Sequence, residues 1–271
     1  MRMTGWWPRA RPDAGTPEEQ GNDPLFVRSV ARAMQVLSAF HQADAPMTLT
    51  EIAAAGEMDK SAAQRFVHTL RKLGYIERDM TDRGFVPGLR LLDHSLDYLR
   101  LNPLVERATP VLQEMRRHVH ERVDLSLFDD LRVVYAARNQ SKRETFFAAL
   151  IGHAVPTFCA SGGRAILALL TDAEVDDILA RSDLRPITMR TITDPEAIRE
   201  KVREAREVGY ACALEEVVPG EIALGVAITG PDRRPVAAIH VAGSLSEWQP
   251  EEFCQKFGPL AQSTARALSR A

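Results

Sequence analysis

The chain has 271 residues, enough for about two domains, and its 45% hydrophobic and 26% charged residues are typical of a globular protein. The formal net charge of −3 excludes a protein that is basic over its whole surface, although one domain can still carry a small basic face. Cysteines that are odd in number and share no short spacing argue against a disulfide framework and against a zinc finger. We therefore expect three free thiols, at Cys159, Cys212 and Cys254.

The beginning of the chain is rich in Arg, Pro and Gly and contains no apolar stretch of the kind that a secretory signal needs. We predict a disordered tail over residues 1–24, which includes the adjacent Trp6 and Trp7. The longest uninterrupted apolar run, residues 165–170, is far shorter than the roughly 20 residues that cross a bilayer. These features predict a soluble, cytoplasmic protein with no membrane partner.

Two helices are predicted in the first part of the chain after this tail. Apolar residues repeat at intervals of three and four from near Phe26, which indicates an amphipathic helix with Ser29 as its N-cap. Thr48 and Glu51 have the spacing of a capping box, in which each residue satisfies a backbone N–H near the other. A short second helix therefore begins there, and Gly56 ends it.

A third helix and a hairpin follow. Asp59 can cap a helix over residues 60–73, and Gly74 can end it. Turn residues at 81–84 then separate two short predicted strands. The order of two helices, a turn, a third helix and a hairpin predicts a winged helix-turn-helix domain over residues 26–88.

One face of the third helix carries hydrogen-bond donors and no acid, while Leu70 and Leu73 are among the apolar residues of the other face. A helix that enters the major groove needs this arrangement, because its polar side chains must reach base edges and phosphates. Arg65 suits guanine, Gln64 suits adenine, and Arg83 at the hairpin tip suits the minor groove or the DNA backbone. The predicted DNA-binding residues are Thr48, Lys60, Ser61, Gln64, Arg65, His68 and Arg83.

A linker helix and a second domain are predicted after the hairpin. Leucines share one face of a helix over residues 89–102, which we interpret as a connection between domains. Residues 103–271 alternate between helix and strand patterns, so the fold class of the chain is α+β. The predicted strands are residues 123–128, 133–137, 146–151, 210–214, 223–228 and 236–241.

Small and polar residues of the second domain indicate a site for a small carboxylate. Free N–H groups where residues 160–163 enter a helix attract anions, and the two glycines either admit a ligand or serve a tight turn. His240, in an apolar strand, is either pocket lining or a hydrogen-bonded core residue, and Arg138 either binds a carboxylate or lies at the surface. Glu215 and Glu216 are expected to cap a turn or to face solvent. The predicted ligand-binding residues are Ser126, Arg138, Phe147, Ser161, Gly162, Gly163, Ala227 and His240.

Several short motifs, in the same order along the chain, resemble those of the IclR transcription regulators. The resemblance covers the chain from Phe26 to its end. It implies a winged helix-turn-helix domain, a connecting helix and a C-terminal GAF-like α/β effector-binding domain with a curved antiparallel sheet. It also implies a homodimer or homotetramer on a palindromic operator in double-stranded DNA. The motifs are residues 29–37, 70–76, 155–156, 161–168, 215–216, 225–227 and 237–239.

Further residues resemble one branch of that family, which controls the breakdown of hydroxylated aromatic acids such as protocatechuate and 4-hydroxybenzoate. They are Arg164, where many members have lysine, and the segments 184–186 and 191–194. Val155 and His240 depart from the pattern of that branch. The resemblance implies a ligand-responsive regulator of a catabolic operon, with an aromatic or other small organic acid as its effector.

Two other classes of function stay open on the residues alone. An enzyme that acts on small organic acids is disfavoured, since we find no nucleophile elbow, phosphate-binding loop, dinucleotide fingerprint or zinc-protease motif. We therefore predict no catalytic residue, no metal ligand and no cofactor. The other class is a protein-interaction module that uses the winged helix as a scaffold, and a test of operator binding distinguishes it from a regulator.

Overall fold

The computed structural model describes residues 23–139 and 151–269. The chain divides into two compact units, residues 1–98 and 99–271. Phe147 and residues 1–22 of the predicted tail lie outside the described residues, as does most of the strand predicted at 146–151. Ile151 lies in a turn, and the next strand begins at Ala154. The predicted domain boundaries at 26–88, 89–102 and 103–271 stay predictions.

In its described part, the first unit has the element order of a winged helix-turn-helix. The two strands pair antiparallel, and a bridge between Met47 and Phe85 ties the segment before the second helix to the hairpin. A further helix follows the hairpin and crosses the division between the units. The elements are α1 (Arg28–Ser38), a 3₁₀ turn (Ala39–Gln42), α2 (Leu49–Ala55), α3 (Lys60–Lys72), β1 (Ile76–Arg78), β2 (Phe85–Pro87) and α4 (Arg90–Leu101).

Capping chemistry sets the ends of these helices. The capping box of Thr48 and Glu51 is confirmed, because the Thr48 hydroxyl accepts from the Glu51 N–H while the Glu51 carboxylate accepts from the Thr48 N–H. Asp59 accepts from Ala62 N at 2.8 Å, as expected of an N-cap. The prediction for Ser29 is wrong: α1 begins at Arg28 after an extended Val27, so Ser29 lies inside the first turn.

The core of the first unit lies between its helices and the hairpin. Val36 of α1, Ile52 of α2, Val67 of α3 and Ile76 of β1 are all buried there. Leu73, which we assigned to the apolar face of α3, is 56% exposed because the helix ends at Lys72. Burial of one face of α3 leaves its other face free for a partner.

The second unit has a six-stranded antiparallel sheet in the order β5-β4-β3-β8-β7-β6, in its described part. β3 and β8 are neighbours in the sheet although they are far apart in the sequence. The sheet therefore forms only when the two ends of the second unit come together. Register shifts after Leu125 and Ile228 fall within this curved sheet. The strands are β3 (Arg122–Asp129), β4 (Arg132–Asn139), β5 (Ala154–Pro156), β6 (Ala211–Leu214), β7 (Glu221–Thr229) and β8 (Pro235–Ser244).

The helices of the second unit cover both faces of this sheet. On one face, large apolar side chains such as Leu125, Leu224 and Ile239 form the main core with the first and last helices. Because side chains alternate along a strand, the other face carries the intervening residues, which are small or polar. The helices are α5 (Pro103–Val119), α6 (Ser161–Leu167), α7 (Asp172–Arg181), α8 (Pro195–Val208) and α9 (Pro250–Ser269).

Two of the three cysteines are joined. Cys212 of β6 and Cys254 of α9 form a disulfide, while Cys159 is free and buried. The expectation of three free thiols is therefore wrong for Cys212 and Cys254. The two cysteines are 42 positions apart in the sequence, which gives no spacing signal, and only the approach of α9 to the edge strand brings them together. Among the described helices, none has the length and apolar character that a bilayer crossing requires.

Candidate DNA-reading surface and effector site

The exposed face of α3 is polar and basic. Residues 60–73 include four Lys or Arg residues and no acid. The neighbouring Asp59 carboxylate accepts a hydrogen bond from the backbone N–H of Ala62 at the start of the helix. This face can therefore donate hydrogen bonds to phosphates and base edges. The predicted residues Lys60, Ser61, Gln64, Arg65 and His68 are all exposed on it.

A groove of about 330 Å³ lies between the start of α2, α3 and the hairpin. Arg71 and Arg78 belong to it but were missed by our sequence analysis. Helical spacing could have found Arg71, which follows His68 by three residues. A three-residue strand gives no pattern from which to find Arg78, whose guanidinium lies over the Phe85 ring at 4.3 Å. The predicted residues that line the groove are Thr48, Gln64, His68 and Arg83.

The hairpin tip that carries Arg83 is held by one carboxylate. Asp79 accepts hydrogen bonds from Gly84 N at 2.7 Å, from Thr81 N at 3.1 Å and from the Thr81 hydroxyl. The Thr81 hydroxyl, followed by the Gly84 N–H, lowers the pKa of Asp79 to about 2. Arg83 itself is exposed, so this ordered turn presents a solvent-accessible cation at the groove.

In the second unit, His240 lies at the centre of a buried polar cluster. The Ser126 hydroxyl is 2.7 Å from its Nε2 and the Ser161 hydroxyl is 3.2 Å from its Nδ1, and the Tyr135 ring lies 5.1 Å away. Burial, followed by the charge of Arg138, lowers the pKa of His240 to about 3. His240 is therefore neutral, with one ring nitrogen donating and the other accepting.

Helix α6 lies directly on this cluster, and glycines make the contact possible. A Cβ on Gly162 would collide with the His240 ring, and one on Gly163 would collide with the main chain of Thr157. Gly225 of β7 likewise has the Ser161 and Gly162 backbone against it. Close packing of helix on sheet thus accounts for the glycines, and the idea that they also admit a ligand to the backbone stays a prediction.

Arg138 belongs to a network of buried charges beside the cluster. Its Nη2 donates to Asp124 Oδ2 at 3.1 Å, and its guanidinium lies over the Tyr135 ring at 3.8 Å. Arg122 donates to the same Asp124 oxygen at 2.8 Å and to Glu221 at 2.7 Å. The Arg138 and Asp124 side chains are only 3% and 1% exposed. Arg138 Nε and Nη1 and Asp124 Oδ1 nevertheless have no partner among the described residues.

A second buried ion pair joins α6 to the segment before β7. Arg164 Nη2 donates to Glu216 Oε2 at 2.7 Å, and the two side chains are 1% and 4% exposed. Ile192 N donates to the same carboxylate at 2.9 Å. Glu216 therefore neither caps a turn nor faces solvent, contrary to our expectation. Glu215 does cap a turn, since it accepts from Gly220 N at 2.8 Å.

A small cavity of about 20 Å³ lies at the same face of the sheet. Tyr135 and Ser161 line it on one side, and residues 215–218 line it on the other. This volume holds about one water molecule. A larger molecule can enter only if the lining segment moves.

Comparison with known proteins gives the family of the chain. Residues 96–270 match the family model described as bacterial transcriptional regulator IclR C-terminal, and residues 29–80 match the IclR helix-turn-helix domain. The chain belongs to the IclR family. As members of this family are transcription regulators, the chain is a DNA-binding, effector-responsive regulator, and the enzyme alternative has no support.

Individual relatives agree with this membership. The chain is 29% identical to the Pca regulon regulatory protein of Pseudomonas putida over 91% of this chain and 84% of that protein. It is 25% identical to the p-hydroxybenzoate hydroxylase transcriptional activator of Acinetobacter baylyi, over 90% and 91% of the two chains. The crystal structure of an IclR transcriptional regulator from Alicyclobacillus acidocaldarius matches with a TM-score of 0.76 and 25% identity, over 90% and 98%.

The structure of this IclR regulator brings together part of the predicted ligand site. Ser126, Ser161, Gly162 and His240 form one cluster, and Arg138 adjoins it through Tyr135. Two other predicted residues lie apart, because Gly163 packs against Thr157 and Ala227 packs against alanines of α6, α8 and β6. The ligand-binding roles stay predictions. Asp124, Arg122 and the Arg164–Glu216 pair were missed, since only cross-strand pairing and tertiary packing place them.

Proposed function

We propose that this IclR regulator binds its operator through α3 and the hairpin, and that a small organic acid on the polar face of the sheet sets its operator affinity. Arg138 is the observation that carries the proposal. A guanidinium that is 3% exposed has two donor nitrogens without a partner among the described residues. Buried donors of this kind are costly unless a ligand or water satisfies them, and a carboxylate satisfies a guanidinium best.

The DNA-binding half of the proposal rests on the exposed face of α3. We propose that Lys60 and Ser61 contact phosphates, that Gln64 and Arg65 contact base edges, and that Arg83 reaches the minor groove. The groove formed by α2, α3 and the hairpin supports this assignment, because it adds Arg71 and Arg78 to the same surface. We place the protein in the cytoplasm, where its operator is.

A homodimer, or a pair of dimers, is part of the proposal. Leu89, Leu92 and Leu96 are 63–70% exposed on the stripe that leads into and along α4. Exposed leucines at helical spacing favour contact with a second copy of the chain. Two copies would present two recognition helices about one DNA turn apart, which fits a palindromic operator.

The names of two relatives favour an aromatic acid as the effector. One relative regulates the Pca regulon, and another activates transcription of p-hydroxybenzoate hydroxylase. We therefore propose that the chain controls a catabolic operon for an aromatic or other small organic acid. Tyr135 and His153, whose rings stack at 6.1 Å, provide aromatic surface beside Arg138.

Ligand entry also suggests how the signal leaves the site. The cavity of about 20 Å³ beside Tyr135 and Ser161 is too small for an organic acid, so a ligand that occupies it displaces the lining segment, residues 215–218. Glu216 in that segment is tied to Arg164 of α6, and movement of one therefore pulls on the other. A ligand shifts operator affinity only through its different affinity for the two arrangements.

The test combines ligand binding with operator binding. Thermal unfolding of the purified protein is measured against hydroxybenzoates, phenylpropanoids, glyoxylate and pyruvate. An effector at about 100 times its dissociation constant adds roughly 2.7 kcal/mol of stability. The same compound should change the electrophoretic shift of the protein's own upstream DNA. Stabilisation by no acid in the panel would overturn the effector half of the proposal.

Arg138→Gln locates the ligand. This variant should weaken binding of the effector by about 10- to 100-fold, which is the usual value of a hydrogen bond to a charged group. Arg203→Gln is the matched control, because Arg203 is an exposed arginine of α8 that pairs only with glutamates on its own helix among the described residues. Equal ligand affinity in both variants would place the carboxylate away from Arg138.

A further inference from the structure

The ion pair between Arg138 and Asp124 leaves both of its partners incompletely satisfied. Asp124 Oδ2 accepts from Arg122 and from Arg138, whereas Oδ1 of the same carboxylate accepts from no described residue. Arg138 Nε and Nη1 likewise donate to none. Within the described residues, the pair therefore has an unused hydrogen-bond acceptor on its anion and unused hydrogen-bond donors on its cation. These groups lie side by side, and both side chains are buried.

We propose that the effector is a carboxylate with a hydroxyl or an ammonium group on the neighbouring carbon, that is, a 2-hydroxy or 2-amino acid. The inference rests on the proposed function, because it concerns the same ligand. The ligand carboxylate accepts from one of the two free nitrogens of Arg138, either Nε or Nη1, which point to different sides of the guanidinium. The neighbouring hydroxyl or ammonium donates to Asp124 Oδ1.

The short distance between the Arg138 guanidinium and the Asp124 carboxylate limits the distance between the carboxylate and the donor group of the ligand. Arg138 Nη2 and Asp124 Oδ2 are 3.1 Å apart, and the free atoms belong to the same guanidinium and the same carboxylate. Covalent geometry keeps these free atoms within a few ångströms of the contact. A donor at the far end of a long or para-substituted acid cannot reach Oδ1 while its carboxylate stays on Arg138.

The described surroundings hold the pair in place, and two neighbouring polar groups, His240 and Arg164, are already engaged with other partners. Arg122 fixes Asp124 and is itself anchored by Glu221 at 2.7 Å, so the carboxylate cannot turn away from Arg138. His240 has both ring nitrogens engaged by serine hydroxyls. The Arg164 guanidinium is engaged by Glu216 and by the Phe158 carbonyl.

Charge also favours this ligand class. The four buried groups are two arginines and two carboxylates, so their formal charges cancel. A zwitterionic 2-amino acid leaves this balance unchanged, and a 2-hydroxy acid adds one negative charge that Arg138 faces directly. In either case Asp124 Oδ1 gains a donor and Arg138 gains an anionic acceptor.

Isothermal titration calorimetry on the full chain tests the inference with two scaffolds. One set is propionate, lactate, 2-methoxypropionate and alanine, and the other is phenylacetate, mandelate, α-methoxyphenylacetate and phenylglycine. The hydroxy or the amino compound should bind at least about tenfold more tightly than the plain acid. The methyl ether, which keeps the oxygen but lacks the donor, should lose that gain. Comparison of the hydroxy acid with the amino acid of each set shows whether the donor to Asp124 is a hydroxyl or an ammonium group.

The outcomes separate the inference from the proposed function. Equal affinity for the plain, hydroxy, amino and methoxy acids would overturn the inference and leave an organic-acid effector in place. Preference for the methyl ether over the hydroxy acid would overturn it as well. If no acid of either set binds, and none of the wider panel does, both the inference and the effector half of the proposed function fail.

Asp124→Asn provides the matching change in the protein. The gain from the hydroxyl or ammonium should fall to about twofold or less, since a neutral amide is a weaker acceptor than a carboxylate. Asp177→Asn is the control, because Asp177 is an exposed acid of α7 that also pairs with an arginine. A full gain in Asp124→Asn would overturn the inference, and the methyl-ether comparison decides it if this variant does not fold.

Discussion

In the first unit, the residues that we propose to contact DNA lie between Thr48 and Arg83, and helical spacing or turn chemistry places almost all of them on one surface. In the second unit, Ser126 and His240 are hydrogen-bonded although 114 residues separate them. The first kind of site is local and exposed, so its side chains can change without affecting the core. The second is assembled from buried groups, so binding and stability depend on the same atoms. Substitutions in the two units should therefore have different consequences.

Arg164→Met should have the largest effect on stability. It leaves the Glu216 carboxylate buried, with the backbone N–H of Ile192 as its one remaining hydrogen-bond donor among the described residues. Breaking a buried ion pair typically costs about 3–5 kcal/mol. Urea denaturation followed by circular dichroism measures the loss. Arg203→Met on the surface of α8 should stay within about 0.5 kcal/mol of the wild type.

A second substitution sharpens this result. Arg164→Met combined with Glu216→Leu removes both charges and should recover part of the lost stability, because a buried pair can be replaced by apolar groups at low cost. A loss below about 1 kcal/mol in the single variant would show that Glu216 reaches solvent and that the second unit is less tightly coupled than its packing indicates.

Arg65→Ala should show the opposite behaviour. Removal of one base-contacting arginine should weaken operator binding by about 1–3 kcal/mol while the free energy of unfolding stays within about 0.5 kcal/mol. Fluorescence anisotropy with the upstream DNA measures the first quantity and urea denaturation the second. The control is Arg107→Ala, an exposed arginine of α5. Unchanged operator affinity in Arg65→Ala would contradict the assignment of α3 as the recognition helix.

The same contrast explains which features could be predicted from the sequence. Caps such as Thr48 and Asp59 act within four residues of themselves, so the sequence contains the whole signal. Ser29 failed because α1 began at Arg28, a boundary that local preference alone does not determine. The element order of the first unit followed from these local signals.

Prediction was weaker where tertiary pairing decides the outcome. His240 could be recognised as a polar residue in an apolar strand, but its partners Ser126 and Ser161 follow from the pairing of β3 with β8 and from the seat of α6. Asp124 was missed because it becomes significant only opposite His240 and Arg138 in the sheet. The glycines were recognised as positions of close backbone approach, and the group that approaches them in the structure is the protein itself.

The smallest effect concerns the part of the pH dependence of stability that buried His240 contributes. His240 has a pKa of about 3 in the folded protein, against 6.5 for a free histidine, because burial and then Arg138 disfavour its charged form. Between these values the unfolded chain binds a proton that the folded chain does not. The stability that neutral His240 contributes is therefore complete above about pH 6.5 and is lost as the pH falls toward 3. The slope is at most about 1.4 kcal/mol per pH unit.

His240→Gln isolates this term from other titrating groups. His153, with a pKa lowered to about 4 mainly by burial, adds a slope of the same sign in both proteins, so only the difference between them reports His240. The variant should therefore lose less stability than the wild type between about pH 7 and about pH 5. The same slope in His240→Gln would mean that the ring is protonated or reaches water in the folded state, and the polar face of the sheet would then resemble the exposed surface of α3.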